Sequence, residues 1–233
     1  MTNKKPLILV SNDDGVSAKG IKKLIDIVRP FGKVVVVASE KSVSGQSHAI
    51  TIKTPLRVEK LHDEKDLKIY ATNGTPVDSV KVALNQILDR KPDYLASGIN
   101  HGSNSSISAI YSGTVGAAME GCFNGIPSIA FSLLNHSPFA DFKTAGKYSE
   151  IIFKEFFKHK VPYGTCLNVN IPDVKPEEIK GIKPCRMTKG LWKEEYDRRK
   201  DPHGGDYYWL TGSFHNHEPK ENNTDEWALQ NNY

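Results

Sequence analysis

Short apolar runs alternate with segments of helical periodicity over the first two thirds of the chain, and this alternation limits the possible folds more than any other feature. Leu7–Val10 is continuously apolar and Lys33–Ala38 contains four consecutive valines, as expected for strands buried on both faces of a parallel sheet. Between them, Ala18–Val28 carries apolar residues at helical spacing. The sequence therefore predicts an α/β fold with a doubly wound, mostly parallel sheet between two helical layers, a Rossmann-like arrangement.

The same patterns predict the remaining elements of this part of the chain. Further strands are expected at Ala49–Val58, Leu67–Thr72, Tyr94–Ser97, Ser128–Phe131 and Leu167–Ile171. Further helices are expected from Pro76 to about Leu88, behind an N-cap at Thr75, and at Thr114–Phe123 and Thr144–Phe157. Ala49–Val58 and Leu67–Thr72 are interpreted as a short hairpin excursion. Gly98–Ser112, rich in Gly, Ser and Asn, is interpreted as a long functional loop.

The composition changes after the predicted strand at Leu167–Ile171, which suggests a core over residues 1–172 and a different unit over 173–233. Lys183–Ser213 mixes Pro, Gly and charges with the aromatics Trp192, Tyr196, Tyr207, Tyr208 and Trp209. Such a segment is expected to form an extended arm or hairpin. Aromatics at this density are typical of interfaces, so we expect the arm to pack against a second copy in a homodimer, or in a tetramer. Stacking on a nucleobase is the alternative role for these aromatics.

Bulk properties exclude several classes of protein. The 31 basic and 27 acidic residues give a net charge of only +4, which is too small and too scattered to suggest nucleic-acid binding. No apolar stretch reaches the length of a membrane span, and the short run near the N-terminus is too short for a signal peptide. The three cysteines are far apart and have no metal-binding spacing. We therefore expect a soluble cytoplasmic protein with reduced cysteines.

Two adjacent carboxylates, Asp13 and Asp14, follow the first predicted strand. Such neighbours repel each other unless a cation lies between them, and their hard oxygens suit Mg²⁺ or Mn²⁺. The carboxyl end of a parallel strand is also where open α/β sheets bind ligands. An ordinary turn with a helix cap would explain the same Asn-Asp-Asp-Gly sequence, and these residues alone do not separate the two possibilities.

Two later loops follow the other central strands. Ser42–Ser47 could supply a hydroxyl ligand, although its composition alone is typical of a flexible loop. The third loop, Ser97–Asn104, continues to Ser112-Gly113-Thr114 at a predicted helix start, where amides, hydroxyls and glycines favour an anion site. His48 and His101 lie close to these loops and could transfer protons, although such histidines more often only line a pocket.

Taken together, these motifs resemble the SurE family of survival-protein 5′-nucleotidases. The resemblance rests on ILVSNDDG, SVSGQSHAIT, ATNGTPVDSVKVAL, PDYLASGINHGSN, YSGTVGAAMEG and GIPSIAFS, which occur in order from Ile8 to Ser132. Further similarity covers Leu167–Pro172 and Thr224–Leu229. Six motifs in one order are far more specific than a single short match.

The resemblance implies a site and an activity. Its metal ligands would be Asp13, Asp14, Ser44 and Asn100, which hold one divalent cation, and its phosphate-contacting residues would be Asn104, Ser112, Gly113 and Thr114. The implied reaction is hydrolysis of nucleoside monophosphates to nucleoside and phosphate, with 3′-nucleotides and short polyphosphate as open substrate questions.

Two departures from the family pattern stand out. Members often have a glycine shortly after the second asparagine of the third loop, where this chain has Ser105-Ser106. The chain also ends at Tyr233, short of the strand and tail with which the family usually continues.

The expected mechanism is metal-assisted attack of water on phosphorus, with Asp13 and Asp14 as the catalytic carboxylates and Asp13 placed to orient or deprotonate the water. A phospho-aspartyl mechanism with Asp13 as the nucleophile is the enzymatic alternative, but such phosphatases space their aspartates by one residue. A receiver-like, metal-dependent switch module is the non-enzymatic alternative.

Overall fold

Strands and helices alternate along the chain in the computed structural model, which describes residues 5–159 and 161–233. The strands are β1 (Leu7–Ser11), β2 (Lys33–Ser39), β3 (Val58–Asp63), β4 (Leu67–Thr72), β5 (Tyr94–His101), β6 (Ser128–Leu133), β7 (Cys166–Ile171), β8 (Gly190–Lys200) and β9 (Asp206–Asn216). The helices are α1 (Lys19–Val28), α2 (Pro76–Val82), α3 (Ser108–Tyr111), α4 (Gly113–Phe123), α5 (Lys143–Lys158) and α6 (Asp225–Gln230).

One large sheet runs in the order β3-β4-β2-β1-β5-β6-β7. Its strands are parallel except for β3, which pairs antiparallel with β4. The chain moves outward from β1 to β2 on one side and continues through β5, β6 and β7 on the other. The strand order therefore reverses between β1 and β5, and a crevice at such a point is the expected ligand site of a doubly wound sheet.

Both faces of the sheet are covered by helices, which confirms the predicted three-layer α/β class. Buried apolar residues form one cluster on each face of the sheet. Ile8 and Val10 of β1 face the first cluster, and Leu7 and Leu9 face the second, because side chains alternate along a strand. The first cluster includes apolar residues of α1 and α5, and the second includes those of α2 and α4. Within the described residues, no helix is both long and apolar enough to span a bilayer.

Two predictions about the first two thirds are wrong. Ala49–Arg57 forms no strand, because Thr51 donates backbone and hydroxyl hydrogen bonds to Asp78 (3.0 and 2.6 Å) instead of pairing with a strand. The strand begins at Val58, and its hairpin with β4 is part of the main sheet, since β4 pairs in parallel with β2. Gly98–Ser112 is also not one irregular loop, because β5 continues to His101 and α3 follows within it.

The predicted hairpin lies near the C-terminus, where β8 and β9 pair antiparallel over their full length. Its base is closed by Glu218, which accepts from Lys189 N (2.7 Å) and from Arg186 Nη2 (3.0 Å). The chain then returns toward the sheet through α6, a helix that the sequence analysis did not predict. Its N-cap is the fully buried Thr224.

Helix α1 lies unusually close to β5 at Gly20. A Cβ added there would lie 1.9 Å from the carbonyl oxygen of Ile99, the residue before Asn100. Backbone atoms of a central strand cannot move aside to make room. Only a glycine at position 20 therefore lets α1 lie this close to the end of β5.

We predict that Gly20→Ala destabilises the protein, although alanine favours an isolated helix by about 1 kcal/mol. Overpacking against the β5 backbone should cost more than this gain, with a net loss of roughly 1–3 kcal/mol. Denaturant unfolding measures the change. The matched control is Gly146→Ala in α5, where a Cβ meets only the flexible end of Lys23. A gain in stability from both substitutions would contradict the prediction.

Candidate active site

The candidate site lies at the carboxyl ends of β1 and β5, which are neighbours in the sheet with Ser11 opposite Ser97. Asp13 and Asp14 follow β1, and Asn100 lies at the end of β5. The loop that carries Ser44 joins them, because Val43 N donates to the carbonyl oxygen of Asp13 (2.8 Å). The three loops that the sequence analysis singled out therefore meet at one edge of the sheet.

Asp13 is held at the N-terminus of α4. Its Oδ2 accepts from Gly113 N (3.1 Å), and its Oδ1 accepts from Thr114 Oγ1. A side chain at Gly113 would lie 2.8 Å from Asp13 Cβ, so only glycine permits this approach. The carboxylate is only 2% exposed, and the positive end of the helix dipole lies beside it.

Asp14 reaches toward the end of β5 instead. Its Oδ2 accepts from His101 N (3.0 Å), and its other oxygen accepts no hydrogen bond from the described residues. The side chain is half-buried. Asp14 thus keeps a carboxylate oxygen that could bind a ligand, whereas both oxygens of Asp13 already accept hydrogen bonds.

Burial is the largest influence on the pKa values of Asp13 and Asp14, here called the acidic pair. It raises the pKa of Asp13, against the hydrogen bonds from Thr114 and Gly113, which lower it. Burial is also the main cause of the raised pKa of Asp14; the hydrogen bond from His101 opposes it, and the charge of Asp13 adds to it. A buried and a half-buried carboxylate, both with raised pKa values, form a site that a cation would stabilise.

Neutral oxygens complete the surroundings of this pair. Asn100 is buried and donates from Nδ2 to the Gly102 carbonyl oxygen (2.8 Å), which leaves its amide oxygen as a possible ligand. Ser44 is exposed, and its hydroxyl lies 3.2 Å from that of Ser42. Across the described chain, no group of three or more His, Cys, Asp or Glu side chains could hold a metal. Any cation here would therefore bind two carboxylates and neutral oxygens, a donor set that suits Mg²⁺ or Mn²⁺.

The four residues expected to contact phosphate also lie at this edge. Ser112 is the N-cap of α4 and accepts from Val115 N (3.1 Å), so its own hydroxyl proton remains free to donate. Gly113 and Thr114 both donate to Asp13. Asn104 donates from Nδ2 to Ser132 Oγ (2.7 Å). The helix start formed by Ser112, Gly113 and Thr114 thus lies beside Asp13, and such a helix start favours an anion.

The two histidines that were considered for proton transfer have different surroundings. His101 packs edge-on against Phe142, with ring centroids 4.8 Å apart, and its Nδ1 is buried without a partner among the described residues. His48 lies 6.3 Å from the ring of Phe123, and its Nε2 is likewise buried without such a partner. Neither ring donates to Asp13 or Asp14 in the described structure, so we give neither a chemical role.

Sequence reasoning missed the residues that support the third loop from behind. Asn170 Oδ1 accepts from Asn104 N (2.7 Å), and Asn168 Nδ2 donates to the Asn104 carbonyl oxygen (2.8 Å). Both project from β7, where asparagines at alternate positions of a strand were the available signal. Asp225 and Glu226 contact the same loop from α6. Ser106, in the Ser105-Ser106 stretch that departs from the family pattern, has a φ of +49°, a conformation that glycine adopts most easily.

Comparisons with known proteins show which family the chain is similar to. The model of a family described as survival protein SurE matches residues 8–194. The 5′-nucleotidase SurE of Flavobacterium psychrophilum is 53% identical over 230 residues, which cover 98% of this chain and 89% of that protein. The 5′-nucleotidase SurE of Phocaeicola vulgatus is 47% identical over 233 residues, which cover 100% and 90%. The crystal structure of the SurE protein from Aquifex aeolicus superposes with a TM-score of 0.82 at 40% identity, covering 98% of this chain and 90% of that one.

We predict that Asp14→Asn stabilises the metal-free protein at neutral pH. The folded state raises the pKa of Asp14 above its value in the unfolded chain, so stability is lost as pH rises through the interval between the two values. Asparagine keeps the oxygen that accepts from His101 N and removes the charge. Melting temperatures in chelator should therefore exceed those of the wild type at pH 7 and converge with them near pH 4.

The matched control for this measurement is Asp26→Asn on the exposed face of α1, which should leave the pH dependence unchanged. If Asp14→Asn is less stable than the wild type at pH 7 in chelator, the Asp14 carboxylate does not destabilise the folded protein and the prediction is wrong.

Proposed function

The chain belongs to the SurE family, and on that basis we propose that it is a divalent-metal-dependent 5′-nucleotidase, a phosphoric monoester hydrolase that releases phosphate from nucleoside monophosphates. The observation that carries the proposal is the buried pair Asp13 and Asp14, held against the N-terminus of α4 and the end of β5. A pair of this kind favours a cation, and the adjacent helix start favours a phosphate group.

We assign one divalent cation, Mg²⁺ or Mn²⁺, to Asp13, Asp14, Ser44 and Asn100. The support is the donor set: two carboxylates, the amide oxygen that Asn100 leaves free, and a serine hydroxyl in a loop attached to Asp13. A bound divalent ion supplies positive charge that polarises the phosphoryl group and activates water for attack.

The protein groups of the site divide the remaining tasks. We propose that Ser112, the N-cap of α4, donates its hydroxyl proton to a phosphate oxygen, and that the side-chain amide of Asn104, which donates to Ser132 Oγ, fixes the orientation of the phosphate. Gly113 and Thr114 act through Asp13, since both donate to its carboxylate and hold its position and charge.

The structure changes one part of the expected mechanism. Asp13 was expected to orient or deprotonate the attacking water, but both of its oxygens already accept hydrogen bonds from α4. We therefore propose that Asp14, whose second oxygen accepts no hydrogen bond from the described residues, uses the lone pairs of that oxygen both to bind the cation and to accept the proton, while Asp13 supplies charge. The same contacts argue against Asp13 as a covalent nucleophile, because a carboxylate that is 2% exposed is poorly placed to attack phosphorus.

A phosphate-release assay tests the proposed function. Purified protein is incubated with 5′- and 3′-nucleoside monophosphates and with short polyphosphate, each with Mg²⁺, Mn²⁺ or excess chelator. Release from 5′-monophosphates that requires metal supports the proposal, and the other substrates define its range. A metal-binding protein that releases phosphate from none of them would instead favour the receiver-like switch module.

We predict that Asp13→Asn lowers kcat/KM at least about a hundredfold while the fold survives. Asparagine can still accept from Gly113 N through its oxygen and donate to Thr114 Oγ1 through its amide, so the local packing is kept. Asp26→Asn on the exposed face of α1 is the control and should retain full activity. Full wild-type activity in excess chelator, or in the Asp13→Asn variant, would contradict metal dependence.

We also propose a homodimer that forms through the hairpin β8–β9, with a larger assembly as a possible extension of the same contact. The hairpin exposes large apolar and aromatic side chains on both of its faces, Trp192, Tyr196, Tyr208 and Leu210 on one and Leu191, Tyr207 and Trp209 on the other. Exposed apolar clusters of this kind mark interaction surfaces, and a two-fold arrangement is the commonest for identical chains.

We predict that light scattering at micromolar concentration gives about twice the monomer mass of 25.9 kDa. Trp209, which is 59% exposed, should contribute to the contact, so Trp209→Ala should shift the equilibrium toward monomer. The control is Tyr163→Ala, which removes an aromatic side chain that is 87% exposed and lies outside the hairpin. A wild-type mass near 26 kDa would show that the hairpin does not dimerise the chain.

A further inference from the structure

We infer that Asp225 is a positioning residue that holds the turn at residues 103–106, and with it Asn104, in the conformation that receives phosphate. Asp225 lies 119 residues from this turn in sequence and begins helix α6. The inference rests on the proposed function for the role of Asn104. That Asp225 holds the turn is a separate claim, which can be tested without any substrate.

The turn is fixed by two different elements, β7 and α6. Asn168 and Asn170 of β7 bind the backbone carbonyl and amide of Asn104. In α6, the carboxylate of Asp225 accepts from Ser106 N (2.8 Å), and the carboxylate of Glu226 accepts from Ser105 Oγ. Asn104 is thus bound by β7, and the two residues that follow it are bound by the first two residues of α6.

Ser106 shows why the second support is needed. It is fully buried and has a φ of +49°, which is an unfavourable backbone conformation for a residue with a side chain. Only a surrounding structure that constrains such a residue keeps it there. Its amide donates to Asp225, and its hydroxyl donates to the Thr188 carbonyl oxygen (2.8 Å), so both of the hydrogen bonds that Ser106 donates lead to the C-terminal part of the chain.

Asp225 is itself held rigidly enough to act as this support. Its Oδ1 accepts from Thr188 N (2.9 Å), Thr188 Oγ1 (2.6 Å) and Glu226 N (2.8 Å), while its Oδ2 accepts from Ser106 N. Its own amide donates to the Arg186 carbonyl oxygen (3.1 Å). Four donors converge on one carboxylate, and an asparagine with a single acceptor oxygen could not satisfy them all.

The arrangement connects the site to the base of the hairpin. Thr188 lies two residues before β8, and Arg186 pairs with Glu218 just after β9. Asp225 does not contact the acidic pair in the described structure, so its loss should leave metal binding unchanged. It should instead loosen the turn and weaken the binding of phosphate.

Three variants test the inference: Asp225→Asn, Asp225→Asn with Ser106→Gly, and Asp225→Asn with Ser106→Ala. Glycine adopts a positive φ without cost, whereas alanine removes the same hydroxyl but keeps the steric penalty. If Asp225 holds the backbone at Ser106, glycine should restore the turn and alanine should not. If Asp225 only anchored α6, the glycine and alanine double variants would behave alike.

Amide hydrogen exchange over residues 103–106 is measured first, in the free protein. Asp225→Asn should speed exchange of this segment, and only the glycine double variant should restore it. Inhibition of nucleotide hydrolysis by inorganic phosphate is measured second. Asp225→Asn should raise the nucleotide KM and the phosphate inhibition constant about tenfold, with kcat and the affinity for Mn²⁺ within about twofold of wild type.

Unchanged exchange in Asp225→Asn, or equal behaviour of the glycine and alanine double variants, would overturn the inference. If Asp225→Asn does not fold, Thr188→Val replaces it, because that change removes one bond to Oδ1 and should shift exchange in the same direction by less. A wild-type protein that hydrolyses no nucleotide would refute the proposed function, yet the exchange data would still decide whether Asp225 holds the turn.

Discussion

The buried carboxylate of Asp13 connects the parts of the molecule that form the site. Asp13 follows β1, its side chain accepts from the first two residues of α4, and its carbonyl oxygen accepts from Val43 in the second loop. A carboxylate with its pKa raised by burial is costly, so its hydrogen bonds to the helix start are what make it tolerable there. Folding thus holds a negative charge at the sheet edge that a cation can compensate.

The parallel sheet explains why so few residues suffice for this arrangement. The ends of β1 and β5 are adjacent because the strand order reverses between them, so Asp14 and His101 meet without any special loop geometry. The close approach of α1 at Gly20 fixes the same end of β5 from one face. Asn168 and Asn170 then support Asn104 from β7. Precise placement of the site therefore comes mostly from regular elements, which move little.

The C-terminal part of the chain contributes to the same region in a different way. Its hairpin exposes aromatics to the outside, while the segments before and after the hairpin turn back to the third loop through Thr188 and Asp225. Trp192 of the hairpin also lies within 3.3 Å of the hydroxyl of Ser108 in α3. A region that composition alone presents as an appendage is therefore physically continuous with the candidate phosphate site.

Sequence determined the features that depend on local pattern. Buried strands such as Lys33–Ser39, the amphipathic α1 and the capping box at Thr75 follow from periodicity and from side chains that bind their own backbone. Asp13, Asp14 and the start of α4 could be selected because strand ends in an α/β sheet are predictable. The family resemblance supplied Ser44, Asn100 and Asn104, whose roles stay predictions.

Tertiary structure decided the features that depend on distant partners. The alternating pattern of Ala49–Val58 is typical of a strand, yet Thr51 finds Asp78 instead of a pairing edge, and such a choice is not encoded locally. The same is true of Ser106, whose positive φ is held by Asp225 from 119 residues away. Hydrogen-bond partners far apart in sequence become neighbours only when the whole sheet forms, and for that reason the sequence alone could suggest a candidate site but not the residues that support it.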